Sequence, residues 1–168
     1  MNLLKPIATG IFLAAAASAT APVSAVTMTR YQWDQGGPNC QLSVPTTSTM
    51  VRPRATGMRN EGTANEFVIC QLSSTSSAFT SAVVYITTID GANHTMKCTG
   101  VKGAADAPTY STKQIDTGTA GYQALTWAPA DFGGTTNFGN PIFSVTCTLP
   151  GGTAIIATEA TYTEDVGA

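Results

Sequence analysis

The chain has 168 residues, of which only 11% are charged, and a formal net charge of −2. That length can bury a sizeable core, but the charge is too sparse and too acidic for a nucleic-acid binder, which needs a dense basic footprint. A single histidine, His94, all but excludes metal centres built on imidazole ligands.

Residues 1–25 read as an export signal. Lys5 is the only charge before Arg30. An Ala-rich apolar stretch runs from Ile7 to Ala17, Pro22 breaks it, and Val23-Ser24-Ala25 supplies the small residues a signal peptidase requires. The stretch is shorter than the roughly 20 residues of a spanning helix, and no second one follows. Residues 26–168 are therefore expected to leave the membrane as one domain, secreted or periplasmic. No cysteine stands at the cleavage site to carry a lipid, and the short Ala-rich signal has a bacterial character. Loss of Lys5 takes the net charge from −2 to −3.

In this remainder threonine outnumbers all charged residues together. Threonine is β-branched, favours strands and solvates an outward face without charge. Strong helix formers are scarce, so the chain reads as all-β. Cys40-Gln41-Leu42-Ser43-Val44 alternates polar and apolar residues, as a half-buried strand does. A strand is also expected near Ala55 to Arg59. Arg52, Arg54 and Arg59 form the one basic cluster, suited to a sulfate or carboxylate, or simply to a solvated edge strand. Glu66 to Leu72 and Ala82 to Ile86 are apolar on both faces and read as central strands. Asp90-Gly91-Ala92-Asn93 is a turn signal, and His94 to Val101 is expected to return antiparallel to Ala82–Ile86. Further strands are expected at Thr112–Asp116, Gln123–Trp127, Phe143–Leu149 and Thr153–Thr163. Thr46–Thr49 and Ser73–Ser77 read as loops, and Leu149-Pro150-Gly151-Gly152-Thr153 as a turn. The pattern suggests a two-sheet antiparallel sandwich, jelly-roll or Ig-like, with a closed barrel as the alternative.

Four cysteines remain after the signal: Cys40, Cys70, Cys98 and Cys147. In an exported chain they read as two disulfides. Four cysteines allow three pairings. Cys40–Cys70 with Cys98–Cys147 is favoured, because it joins neighbours in the first half and closes the second half on itself. Spacings of 30, 28 and 49 do not suit a zinc site, which usually wants close pairs. Without a C-x-x-C pair, thiol redox catalysis is not expected either.

Catalysis has little to work with. A Ser-His-Asp or Cys-His device would have to use His94, which sits beside a turn. Glycosidase chemistry needs two facing carboxylates, and Glu159, Glu164 and Asp165 lie close in sequence without pairing themselves. The reading is a non-enzyme without cofactor or metal. Asn93-His94-Thr95 matches a glycosylation acceptor, expected to be unmodified in a bacterium.

The segment Trp127 to Pro141 is long for a connection between two strands and carries Trp127, Phe132 and Phe138 among glycines, Asp131 and Asn137. Aromatic rings beside Asp and Asn are the usual equipment for sugar recognition. Trp127, Asp131, Phe132, Asn137 and Phe138 are the candidate ligand-binding residues, with carbohydrate or another surface ligand as partner. The alternative is that the three rings cap the core, since a long loop packs with its own side chains. Tyr31 and Trp33 could add a second aromatic contact. The other functional class is a structural or assembly protein of the cell exterior that pairs edge strands with neighbours.

The placement of Cys40, the run from Gly57 through Gly62-Thr63-Ala64-Asn65 into Phe67-Val68-Ile69-Cys70, the strand Phe143 to Leu149 with Pro150, and the closing Tyr162-Thr163-Glu164-Asp165-Val166-Gly167 together resemble small uncharacterised secreted proteins of Gram-negative bacteria. That resemblance implies a signal peptide, four cysteines and a β-sandwich. It brings no activity and no site residues.

Overall fold

A computed structural model describes residues 25–44, 48–73 and 79–167. Except for Ala25, the expected export signal lies outside the described residues, as do parts of the loops at Thr46–Thr49 and Ser73–Ser77. Among the described residues no helix is long and apolar enough to cross a membrane.

The chain forms two antiparallel sheets. Its elements are β1 (Thr27–Gln35), a four-residue helical turn α1 (Gly36–Asn39), β2 (Cys40–Leu42), β3 (Val51–Arg54), β4 (Gly57–Asn60), β5 (Glu66–Leu72), β6 (Phe79–Thr88), β7 (Thr95–Lys102), β8 (Thr109–Asp116), β9 (Gln123–Trp127), β10 (Phe143–Leu149) and β11 (Thr153–Asp165). One sheet has the order β3-β4-β11-β6-β9, and β1 pairs with the remaining length of β11, beyond β4. The other has the order β2-β5-β10-β7-β8. Among the described residues no pairing closes either sheet on itself, so the architecture is a sandwich and not a closed barrel.

Alternation locates the core. The inward residues of β5, β6, β7, β9, β10 and β11, among them Val68, Phe79, Val84, Ile86, Met96, Trp127, Phe143, Val145 and Ile155, form one continuous apolar layer between the sheets. At about 25 cal/mol per Å², this interdigitated layer is the main stabilising term. Gly100 makes room in it. A Cβ there would stand 2.9 Å from both the Phe143 ring and Trp127 Nε1.

Both disulfides lie in this layer and link directly opposed residues of neighbouring strands. Cys40–Cys70 ties β2 to β5, and Cys98–Cys147 ties β7 to β10. Four of the five strands of one sheet are thus cross-linked in pairs. Closing loops of 30 and 49 residues contributes about 4 kcal/mol each in the chain-entropy model.

Several sequence expectations change. His94–Val101 does not return against Ala82–Ile86. β6 pairs with β11 and β9 in one sheet, and β7 pairs with β10 and β8 in the other. The Asp90 carboxylate accepts hydrogen bonds from the Ala92 N–H, the Thr88 hydroxyl and His94 Nε2. The turn is real, but it carries the chain across the sandwich. Consecutive strands pair only in β3–β4 and β7–β8. The strand expected near Ala55–Arg59 is a hairpin, with Ala55-Thr56 as its turn. Gly57 follows at φ +134° with the Ile155 carbonyl against the place of a Cβ, so only glycine fits. β1 was not anticipated, because it lacks the apolar-in pattern of a core strand.

Candidate functional site

β1 contributes no residue to the core. Its sequence, TMTRYQWDQ, alternates so that Thr29, Tyr31, Trp33 and Gln35 share one face. The register places Tyr31 opposite Thr161, Trp33 opposite Glu159 and Gln35 opposite Ala157 on β11. On its other side β11 sets Ala157 opposite Tyr85 and Glu159 opposite Val83 of β6. Tyr85 in turn stands opposite Ala124 of β9. Ile155, Thr158 and Ala160 of β11 face the core, so this set is the outer face of the six-stranded sheet.

That face carries a row of aromatic rings. Trp33 stacks on Tyr85 with centroids 4.8 Å apart and planes 19° from parallel. Tyr122, just before β9, meets Tyr85 edge-on at 5.6 Å. Small residues on the intervening strand, Ala157 in particular, let rings from β1 and β6 meet across it. Tyr31, Trp33 and Tyr122 remain 62%, 56% and 62% exposed. Exposed aromatics gathered on one sheet face mark an interaction surface more often than chance.

Beneath the row lies Glu159, only 7% exposed. Its Oε2 accepts from the Tyr85 hydroxyl at 2.7 Å and its Oε1 from the Thr161 hydroxyl at 3.3 Å. Burial, and then the hydrogen bond to Glu159, push the Tyr85 phenol above its ordinary range, so it stays protonated and donates. A carboxylate has about four lone-pair sites, and two are filled here. In register and along its own face Glu159 has Trp33, Val83, Ala157 and Thr161 as neighbours. None is a second carboxylate, so the facing pair that glycoside hydrolysis needs is not built at these positions.

The residues of the Trp127–Pro141 segment are turned to other work. Trp127 is fully buried, packs against Phe143 and donates its indole N–H to the Ser111 carbonyl at 3.0 Å. Phe138 is buried against Phe79 at 4.6 Å, and half-buried Phe132 meets Phe138 and Phe143 edge-on. Asp131 Oδ2 accepts from Lys113 Nζ at 2.7 Å and from the Ala128 N–H at 2.8 Å. Burial raises its carboxyl, but these two donors outweigh that and hold it below the usual carboxylate range. Asn137 Oδ1 accepts from the Gly139 N–H and closes a turn. The loop caps the end of the core, as the packing alternative required, with Trp127 and Phe138 buried in it.

Two concavities stand apart from the aromatic face. A groove of about 700 Å³ runs beside Pro38, Gln41, Ile69, Gln71 and Ile142, with no charged side chain in its lining. Another, of about 500 Å³, is lined by Glu61, Asp90, His94 and Thr63 among others. There His94 Nε2 lies 3.0 Å from both Asp90 oxygens. No serine or cysteine lines that cavity, and the Thr88 hydroxyl is bound to Asp90 and not to the imidazole. The pair locks the turn, and no hydrogen bond joins the imidazole to a hydroxyl or thiol among the described residues. Among the described residues no group of three His, Cys, Asp or Glu side chains could hold a metal ion.

No family model matches the chain, and no curated protein matches it. Among solved structures, the chain is similar to a family 11 carbohydrate-binding module from Clostridium thermocellum, determined in complex with a beta-1,3-1,4-mixed-linked tetrasaccharide. The two are 8% identical with a TM-score of 0.38, over 89% of this chain and 92% of that one.

Proposed function

We propose that the protein is an exported, non-catalytic carbohydrate-binding module whose ligand lies on the outer face of the six-stranded sheet. One observation carries this reading. Tyr31, Trp33 and Tyr122 stay exposed beside Tyr85 on a face whose edge strand, β1, adds nothing to the core. Packing does not require those rings, since threonine would serve an outward strand position equally well. Sugar rings present apolar C–H faces that pack on aromatic rings, and hydroxyls that pair with buried polar groups. On the same face Glu159 is such a buried group, and Thr161, Gln35 and Thr126 add more accessible polar ones. Export rests on residues 1–25 and on the two buried disulfides, which persist in oxidising compartments.

A glycan array probed with the wild-type protein and with Trp33→Ala tests the reading. Binding that disappears in the variant is expected. An empty array, or binding indifferent to Trp33, would count against it.

A structural role is the second reading. β8 ends the five-stranded sheet with eight regular residues, and among the described residues no strand pairs with its outer edge. Such an edge can template pairing with another chain. Concentration-dependent light scattering would reveal it, and a strict monomer at high concentration would sink it.

A further inference from the structure

The aromatic face continues toward the β3–β4 hairpin, and there its chemistry changes. Arg59 of β4 stands opposite Ala154 of β11, which stands opposite Thr87 of β6. Thr87 and Tyr85 share the outer side of β6, so Arg59 shares the outer face with the rings. Arg52 of β3 is directly opposite Arg59 and joins it. Met58, Asn60 and Val51 take the inner side. Between Ala154 and Ala157 the strand covers roughly 10 Å at about 3.3 Å per residue. The arginines and Tyr85 therefore flank one stretch of β11, Ala154 to Ala157, with the half-buried Ile156 at its bulge, and Trp33 lies two residues further along, opposite Glu159.

Two features of this pair are costly as they stand. Like charges directly opposite on neighbouring strands repel. Arg59 Nε is also buried without a hydrogen-bond partner, a cost that native structures rarely carry, and being closed to solvent it leaves the rest of the guanidinium to meet a ligand. The Glu61 carboxylate feels the charges of Arg59 and Arg52 but forms an ion pair with neither. Glu61 is engaged by Arg54, with Nε–Oε1 at 3.0 Å and Nη2–Oε2 at 2.7 Å. Arg52 Nε is held by the Thr49 carbonyl. Among the described residues neither Arg52 nor Arg59 makes an ion pair. An anion presenting two oxygens to the exposed Arg52 and the half-buried Arg59 would offset the two positive charges and accept hydrogen bonds from the guanidinium groups.

We propose that Arg52 and Arg59 form an anion subsite, and that the glycan on the aromatic face is acidic, bearing carboxylate or sulfate groups. This inference rests on the carbohydrate reading and specifies its ligand. Stacking on Trp33 holds the sugar ring, and the arginine pair selects chains with an anionic substituent.

The test is isothermal titration at low ionic strength with three oligosaccharides of equal length: a galacturonate oligomer, a sulfated dextran and neutral dextran. The expected result is that at least one acidic oligomer binds ten times more tightly than the neutral one, with the carboxylated and sulfated arms deciding which anion is preferred. Arg59→Lys, which keeps the charge but loses the fork, and the more exposed Arg52→Gln should each reduce that ratio at least threefold. Both are checked by thermal melting for intact folding. Equal or tighter binding of the neutral oligomer, or a ratio unmoved in both variants, would overturn the anion subsite while leaving a Trp33-dependent carbohydrate module standing. Binding of none of the three would overturn the anion subsite, while the carbohydrate reading stands or falls with the glycan array.

Discussion

Trp33 and Tyr85 stack at 4.8 Å although their strands, β1 and β6, are separated by β11. The contact runs diagonally across β11, where the small Ala157 stands opposite Tyr85 and Glu159 opposite Trp33. Tyr85 also hydrogen-bonds Glu159, so one tyrosine joins the exposed ring to a buried carboxylate. The face is organised, and its exposed indole, Trp33, can be removed without opening the core.

That separation gives the first prediction. Trp33→Ala should cost about 1 kcal/mol of stability, the worth of one ring pair at the surface. It should lower glycan affinity at least tenfold. Urea unfolding read beside titration checks both. A variant that loses several kcal/mol would show that Trp33 serves the fold.

Trp127→Ala is the counterpart. Trp127 is buried and bonded to the Ser111 carbonyl, so its removal should cost about 3–5 kcal/mol. Any loss of binding should track loss of folded protein. Gly100→Val probes the same packing from the opposite sheet. It drives methyl groups into Phe143 and Trp127 and should cost about 1–3 kcal/mol.

Removing one disulfide should destabilise without altering the site. Cys98→Ala with Cys147→Ala should cost about 2–5 kcal/mol and leave glycan affinity unchanged in protein that remains folded. Non-reducing peptide mapping should recover Cys40 joined to Cys70 and Cys98 joined to Cys147. Free thiols would contradict the fold at its centre.

Acid should weaken the β6–β7 turn through Asp90. The His94 ring, then the Ala92 N–H and the Thr88 hydroxyl, hold its carboxyl well below the usual range. A depressed folded-state carboxyl stabilises fully above the unfolded value, near 4. That stabilisation fades as the pH falls below it. Asp90→Asn should therefore be less stable than wild type at neutral pH, with the gap closing as pH falls from about 5 to 2. A gap independent of pH would show that Asp90 acts only through its shape.

Alternation made most of the sandwich readable. Phe143–Leu149, Gln123–Trp127 and Glu66–Leu72 appear as β10, β9 and β5 with the bounds their patterns suggested. The favoured cysteine pairing also holds. Strand order was not readable from local signals. Asp90-Gly91 encodes a reversal but not the sheet that receives the chain, and so the expected hairpin became a crossing. The aromatic site was half visible. Tyr31 and Trp33 stand out as aromatics just ahead of the first cysteine. Their partners Tyr85 and Tyr122 are brought to them only by β11, which pairs with both β1 and β6. Trp127 misled for the complementary reason. An aromatic at the end of a strand looks the same in sequence whether it faces a ligand or the core, and only the packing of Phe79, Phe138 and Phe143 decides.

The central claim concerns which tryptophan meets the ligand, and the chain has two. Their indole N–H resonances in a proton–nitrogen NMR spectrum, followed during titration with the strongest glycan from the array, read this directly. The account predicts that the Trp33 signal moves with ligand while that of Trp127, held by the Ser111 carbonyl, stays in place. Movement of Trp127 alone, or of neither indole at saturating ligand, would contradict it.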